Sequence, residues 1–275
     1  MKLNTLKSIG FLLNLSSYIS PQLAAKMAIK LFSSPQKGKL KDIDGPFLKS
    51  ATHEKLFYKN SSIMTYHWEG NKETVLLVHG WESNAARWEK LIYLLKSLDY
   101  NIIALDAPAH GKSGSKVFNA ILYSEFINVV AKKFHADIVI GHSVGGMASI
   151  FFQHKYQLPS LKKIVLLGAP SNFVGVFDRY SKMMGYNKRI IEAMNQEVLK
   201  KFKYLPEYFS TAKFSKEIKS KGLVIHDKKD RIIPFSDALD YAKYYSNAIL
   251  VKTKGYGHRL KSDEVHNHII EFLNS

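Results

Sequence analysis

The chain has no cysteine among its 275 residues. That single absence excludes disulfide scaffolds, thiolate nucleophiles and cysteine metal sites together. No apolar run reaches the ~18 residues that read as a transmembrane helix. A Gly-rich phosphate loop is missing, and no histidine–carboxylate cluster has metal-ligand spacing, so neither cofactor nor metal is implied. Acids are also scarce, with 23 Asp+Glu against 40 Lys+Arg and a formal net charge of +17. The cations are mostly scattered lysines, without a recognition module, zinc-finger spacing or arginine cluster. A solvated basic surface is the expectation, with no nucleic-acid partner.

What is present begins unevenly. Residues 1–41 carry seven lysines and no acid around two apolar blocks, Ile9–Leu15 and Leu23–Phe32. Pro21 suits the first position of a second helix. Lys2 and Lys7 resemble a weak signal-peptide start, but no small-x-small cleavage site follows. The expectation is a helical arm packed on the body of a cytoplasmic protein. The alternatives are a targeting segment and an arm in peripheral contact with a membrane or a partner. Residues 33–54 read as linker.

From about residue 54 onward the apolar runs are short and separated by helical periodicity. Glu54–Gly70 suggests two antiparallel strands about the turn Lys59–Ser62. Val75–Val78, Asn101–Leu105, Ile138–Ile140, Lys163–Leu167, Gly222–Ile225 and Ala248–Val251 read as buried strands. Runs without alternation predict a mostly parallel sheet covered on both faces. The rhythm breaks between Pro170 and about Lys219, where a helix-leaning stretch rich in aromatics and methionines predicts a cap inserted into the sheet. The expected division is an arm and linker at 1–50, a core at 51–170 with 220–275, and a cap at 171–219.

The chemistry centres on Gly141-His-Ser-Val-Gly145, a buried strand running through a sharp turn into a helix. A serine held in such a turn needs small residues two before and two after it. Ser143 is the expected nucleophile. It needs a base and an orienting acid, and both lie just past strand ends: His258 in a glycine-flanked loop, and Asp230, with Asp227 as the alternative acid. The backbone N–H groups of Trp81 and Val144 are the expected oxyanion donors. His79 reads as a backbone-bonding residue and Asp106–Ser113 as a shaping loop. Trp81, His142, Tyr180, Met183 and Met184 are the candidates for lining a substrate pocket.

His79-Gly80-Trp81, Asp106 to Ser113, Gly141 to Gly146, Asp230 with Pro234, and Gly257-His258 occur in an order that resembles the α/β-hydrolase superfamily, in its capped serine-esterase group. The resemblance covers about residues 55–275. It implies an eight-stranded sheet with the cap after the sixth strand, and a serine hydrolase cleaving a carboxylic ester or related acyl compound. Thioesterase and carbon–carbon hydrolase chemistry are the alternatives, and a non-catalytic binding protein on the same fold is the rival. Ala109 stands where relatives often have glycine. A serine nucleophile in place of aspartate argues against the epoxide hydrolases and dehalogenases of this group.

Overall fold

Each central strand is a run of apolar residues because it has a core on both sides. The computed structural model describes residues 3–40 and 45–275. Met1, Lys2 and Lys41–Asp44, which fall in the expected arm and linker, lie outside the described residues. The strands are β1 (Thr52–Tyr58), β2 (Ser61–Trp68), β3 (Thr74–Val78), β4 (Asn101–Leu105), β5 (Ile138–His142), β6 (Lys163–Leu167), β7 (Lys221–Asp227) and β8 (Ala248–Thr253). They form one eight-stranded sheet in the order β1-β2-β4-β3-β5-β6-β7-β8. β1–β2 and β2–β4 pair antiparallel, and every other pair is parallel.

The helices are α1 (Leu3–Ser16), α2 (Pro21–Phe32), α3 (Gly45–Leu48), α4 (Glu89–Ser97), α5 (Ala120–Lys133), α6 (Val144–Tyr156), α7 (Phe173–Met184), α8 (Lys188–Phe202), α9 (Thr211–Phe214), α10 (Ser236–Tyr244) and α11 (Asp263–Leu273). Side chains alternate across a strand. Leu76, Val78, Ile103, Leu105, Val139, Ile164 and Leu166 therefore enter one core with Phe126, Ile127, Ile150 and Tyr241 of α5, α6 and α10. Val75, Leu77, Ile102, Ile138, Ile140, Val165 and Leu167 enter the other, with Leu91, Ile92, Ile269 and Phe272 of α4 and α11. This arrangement puts the carboxyl ends of β3, β5, β7 and β8 on one edge of the sheet, with β6 between β5 and β7, so the loops that leave them share that edge.

The described chain divides into two units. Lys37–Ser171 and Thr211–Ser275 form the sheet unit; the other runs up to Gln36 and takes in Asn172–Ser210. Two boundaries differ from expectation. The cap ends at Ser210, not Lys219, because Thr211 Oγ1 donates to the Pro170 carbonyl and lies 2.7 Å from the Tyr241 hydroxyl, while Phe214 packs on Phe151. The arm also ends before residue 50, since Phe47 and Leu48 enter the sheet unit's core beside Trp68.

α1 and α2 belong with the insertion and do not form an arm of their own. Gly10 of α1 comes so close to the Met184 carbonyl that a Cβ there would lie 1.8 Å from its oxygen. Asn14 accepts from Asn187 N and donates to the Gly185 carbonyl, and Phe32 packs against Phe173, Phe177 and Tyr180. Among the described residues no helix is long and apolar enough to cross a membrane.

Candidate active site

Ser143 links β5 to α6 with φ 54° and ψ −128°. A non-glycine residue at such angles is strained by ~1–3 kcal/mol and persists only where its surroundings hold it. They do so here through hydrogen bonds: Ser143 N donates to the Leu167 carbonyl, and the Ser143 carbonyl accepts from Gly146 N and Met147 N. The turn is sharp enough that a Cβ on Gly141 would lie 2.6 Å from Gly146 Cα. A Cβ on Gly145 would lie 2.4 Å from the carbonyl oxygens of Val78 and His79. The glycines on either side of the serine therefore answer to close packing.

The three residues expected at the strand ends come together. His258 Nε2 lies 3.0 Å from Ser143 Oγ, and His258 Nδ1 lies 2.7 Å from Asp230 Oδ2. Burial alone would raise the Asp230 carboxyl. Hydrogen bonds from His226, His258 and Ile233 N outweigh that and hold it well below the usual carboxylate range. An ionised carboxylate only accepts, so His258 carries its proton on Nδ1 and turns a lone pair toward the serine hydroxyl. That is the tautomer a general base needs.

Asp227, the alternative acid, is committed elsewhere. Its carboxylate accepts from Thr253 Oγ1, Tyr256 N and Lys229 N, which ties down the β8 exit loop that carries His258. Gly255 and Gly257 give that loop its left-handed turns, with φ 111° and 56°.

The turn at Gly80–Trp81 lies against the serine, where a Cβ on Gly80 would come 2.9 Å from Ser143 Cβ. Neither the Trp81 N–H nor the Val144 N–H has a hydrogen-bond partner among the described residues. The first N–H groups of a helix have no intrahelical acceptor, so Val144 N–H is available by construction. The Trp81 indole is half-buried and packs edge-on against His110 and Phe118.

His79 and the 106–113 loop support this turn. His79 Nδ1 donates to the Gly80 carbonyl and Nε2 accepts from Ala107 N. Asp106 accepts from Tyr66 Oη, Ala85 N and Lys112 N, and His110 Nε2 accepts from Glu82 N. Ala109, where glycine was the expectation from relatives, sits at φ 64°. Burial lowers His79 and His110 to about 4 from 6.5, with the neighbouring His79 adding to the shift of His110.

Both rings are thus neutral when folded and take up protons on unfolding between those values. Their contribution to stability is complete above pH 6.5 and is lost as the pH falls toward 4. Each ring is expected to cost about 2 kcal/mol between pH 7 and 5. Urea unfolding midpoints at the two pH values check this, and an unchanged midpoint contradicts it.

The ring of His142, expected to line a pocket, is held by two partners. It shares the β5 face of Ile140, and both ring nitrogens are used. Arg87 Nη1 lies 2.8 Å from His142 Nδ1, and His142 Nε2 lies 2.8 Å from the His258 carbonyl oxygen. A guanidinium only donates, so Nδ1 accepts and the Nε2 proton goes to that carbonyl. Arg87 Nη2 also donates to the Arg259 carbonyl. Arg87 and His142 therefore hold the two consecutive carbonyls of the segment that carries the base.

Arg87→Ala is expected to lower kcat on the order of 10²-fold, as for a base displaced by about 1 Å, with KM for a short ester near wild type. Arg87→Lys recovers only part, because one ammonium does not reproduce a two-armed contact. Steady-state kinetics on variants of matched melting temperature read the effect, and an unchanged kcat in folded Arg87→Ala refutes it.

Of the cap candidates, Met184 is 1% exposed. Tyr180 packs against Phe32 and Tyr186, and Met183 is 39% exposed. His226, which no sequence signal singled out, is fully buried with Nε2 donating to the Ile233 carbonyl, 3.5 Å from Asp230 Oδ2. Its place four residues before Asp230, on the strand that delivers the acid, was the available clue.

Residues 73–209 match the family model described as alpha/beta hydrolase fold. The chain is 32% identical over 128 residues to human "Serine hydrolase-like protein", covering 44% of this chain and 62% of that one. It is 26% identical over 117 residues to "Putative esterase/lipase 2" of Mycoplasma genitalium, covering 41% and 43% respectively. The chain thus spans less than two thirds of the length of these curated relatives. Among solved structures it is similar to a putative lipase from Acinetobacter baumannii, with TM-score 0.65, 18% identity and coverage of 86% of this chain and 97% of that one. It is also similar to an esterase from Exiguobacterium antarcticum, with TM-score 0.64, 17% identity and coverage of 82% and 100%.

Proposed function

The chain belongs to the α/β-hydrolase superfamily, and on that premise we propose that it is a serine hydrolase cleaving a carboxylic ester or related acyl compound. The observation that carries this reading is the continuous path Asp230–His258–Ser143, at 2.7 Å and 3.0 Å, ending on a strained serine. A receptor on the same fold has no need of that alignment.

His258 Nε2 takes the Ser143 proton as Oγ attacks the acyl carbon. The negative charge that develops on the carbonyl oxygen is stabilised by the N–H groups of Trp81 and Val144, which approach the serine from two different strand exits. Asp230, held ionised, stabilises the imidazolium without taking its proton. His258 then protonates the leaving alcohol, and water, activated by the same ring, releases the acid from Ser143. The Trp81 indole forms part of the wall beside the acyl group.

A panel of p-nitrophenyl esters from acetate upward tests the proposal. Serine-dependent turnover of at least one chain length is expected, and a folded protein that turns over none of them sinks the reading.

A further inference from the structure

The two N-terminal helices leave much of their apolar surface outside. Of the residues buried in this hairpin, Gly10, Ser17, Ala24, Ala25 and Ala28 are small and Leu13 alone is large. Seven large apolar side chains point to solvent. Phe11 is 61% exposed, Leu12 64%, Leu15 52%, Tyr18 68%, Ile19 92%, Leu23 58% and Met27 48%. An ordinary surface helix does the reverse and turns its large apolar residues inward. Spacings of three and four run the exposed set along α1, across the hairpin at Tyr18–Ile19 and onto α2. It is one contiguous face, of a kind that soluble proteins rarely leave bare without a partner.

We propose that this face docks the protein on an anionic lipid surface, with α1 and α2 lying in the plane of the interface. Two observations select lipid. The first is charge. Residues 1–41 have no acid, and Lys7, Lys26 and Lys30 are exposed on the same two helices. The Arg189 guanidinium of α8 lies 4.9 Å from the centre of the Tyr18 ring, which adds a further cation at the hairpin end. Apolar residues rimmed by cations, with an aromatic beside them, match the boundary between acyl chains and anionic headgroups. A second copy docking face to face would instead bring two lysine rims together.

The second is length. At 14 and 12 residues the helices extend about 21 and 18 Å at 1.5 Å per residue, well short of a hydrocarbon core of about 30 Å. They can lie in an interface but not span it. The inference does not depend on the hydrolase reading.

The test is sedimentation of the full-length protein with vesicles of phosphatidylcholine alone or equimolar phosphatidylcholine and phosphatidylglycerol. Wild type is expected to partition at least about tenfold more strongly onto the anionic vesicles, and less so as salt is added. Leu12→Glu/Leu15→Glu/Ile19→Glu changes only exposed positions, so its circular dichroism and melting are expected to match wild type while vesicle binding is lost. Lys7→Gln/Lys26→Gln/Lys30→Gln is expected to remove the preference for anionic vesicles.

The proposal is overturned if wild type stays in solution with both vesicles, or binds both equally. It is overturned too if the folded triple-Glu variant still sediments, or if the lysine variant keeps the preference. A wild type that ignores vesicles but dimerises, against a monomeric triple-Glu variant, assigns the face to a second copy instead.

Discussion

Ser143→Ala is expected to lower kcat/KM for the best p-nitrophenyl ester by at least about 10⁴-fold. The serine supplies both the atom that forms the acyl-enzyme and the proton that His258 removes, so no neighbour replaces it. What survives is the oxyanion pair at Trp81 and Val144, and water activated by His258, a small residue of the whole. Stability is expected to move little. Among the described residues, removing Oγ breaks only the 3.0 Å contact to His258, while the hydrogen bonds that hold the turn go to the backbone of residue 143. Activity measured with melting temperature separates the two effects. A folded Ser143→Ala protein with wild-type turnover would place the chemistry elsewhere.

Asp230→Asn is the second large effect, expected at about 10⁴-fold in kcat with KM little changed. The reason lies in how the carboxylate is shared. Oδ1 accepts from Ile232 N at 2.8 Å and Ile233 N at 3.0 Å, while Oδ2 faces His258 Nδ1. In the asparagine variant the two backbone donors keep the amide oxygen at the Oδ1 position. The amide NH2 then faces Nδ1 of His258, where two donors meet. The imidazole answers by moving its proton to Nε2, and the lone pair that should accept from Ser143 is gone. Asp227→Asn acts on the loop anchored by Thr253 and Tyr256, so its cost is expected in stability more than in kcat. Kinetics that place the larger kcat loss at Asp227 would reverse the assignment of the acid.

The sheet was legible because its strands are buried on both faces. Val75–Val78 and Ile138–Ile140 have no polar alternation to confuse them with surface strands, and each ends at a glycine or histidine where chemistry begins. The candidate site was legible for the same reason, since three strand exits in a fixed chain order carry Ser143, Asp230 and His258.

Other features depend on pairings that local pattern does not contain. Arg87 sits in a short 3₁₀ turn ahead of α4 and looks like one more solvated cation, yet it reaches a carbonyl 172 positions away. His142 reads as the variable position of a pentapeptide, and only the folded chain shows its ring held between Arg87 and the His258 carbonyl. The same limit explains the division of the chain. The apolar block at residues 9–15 announces a helix, but the complementarity of Gly10 to the backbone at Met184 becomes visible only when both are folded.

The central claim is that Ser143 is a nucleophile activated by His258, and one measurement addresses it directly. The purified protein is treated with a fluorophosphonate, and the intact mass and peptide map are read for wild type, Ser143→Ala and Asp230→Asn. Single-site phosphonylation on Ser143 is expected in wild type, none in Ser143→Ala, and slow labelling in Asp230→Asn. Labelling that persists in Ser143→Ala, or a folded wild type that stays unlabelled, contradicts the account.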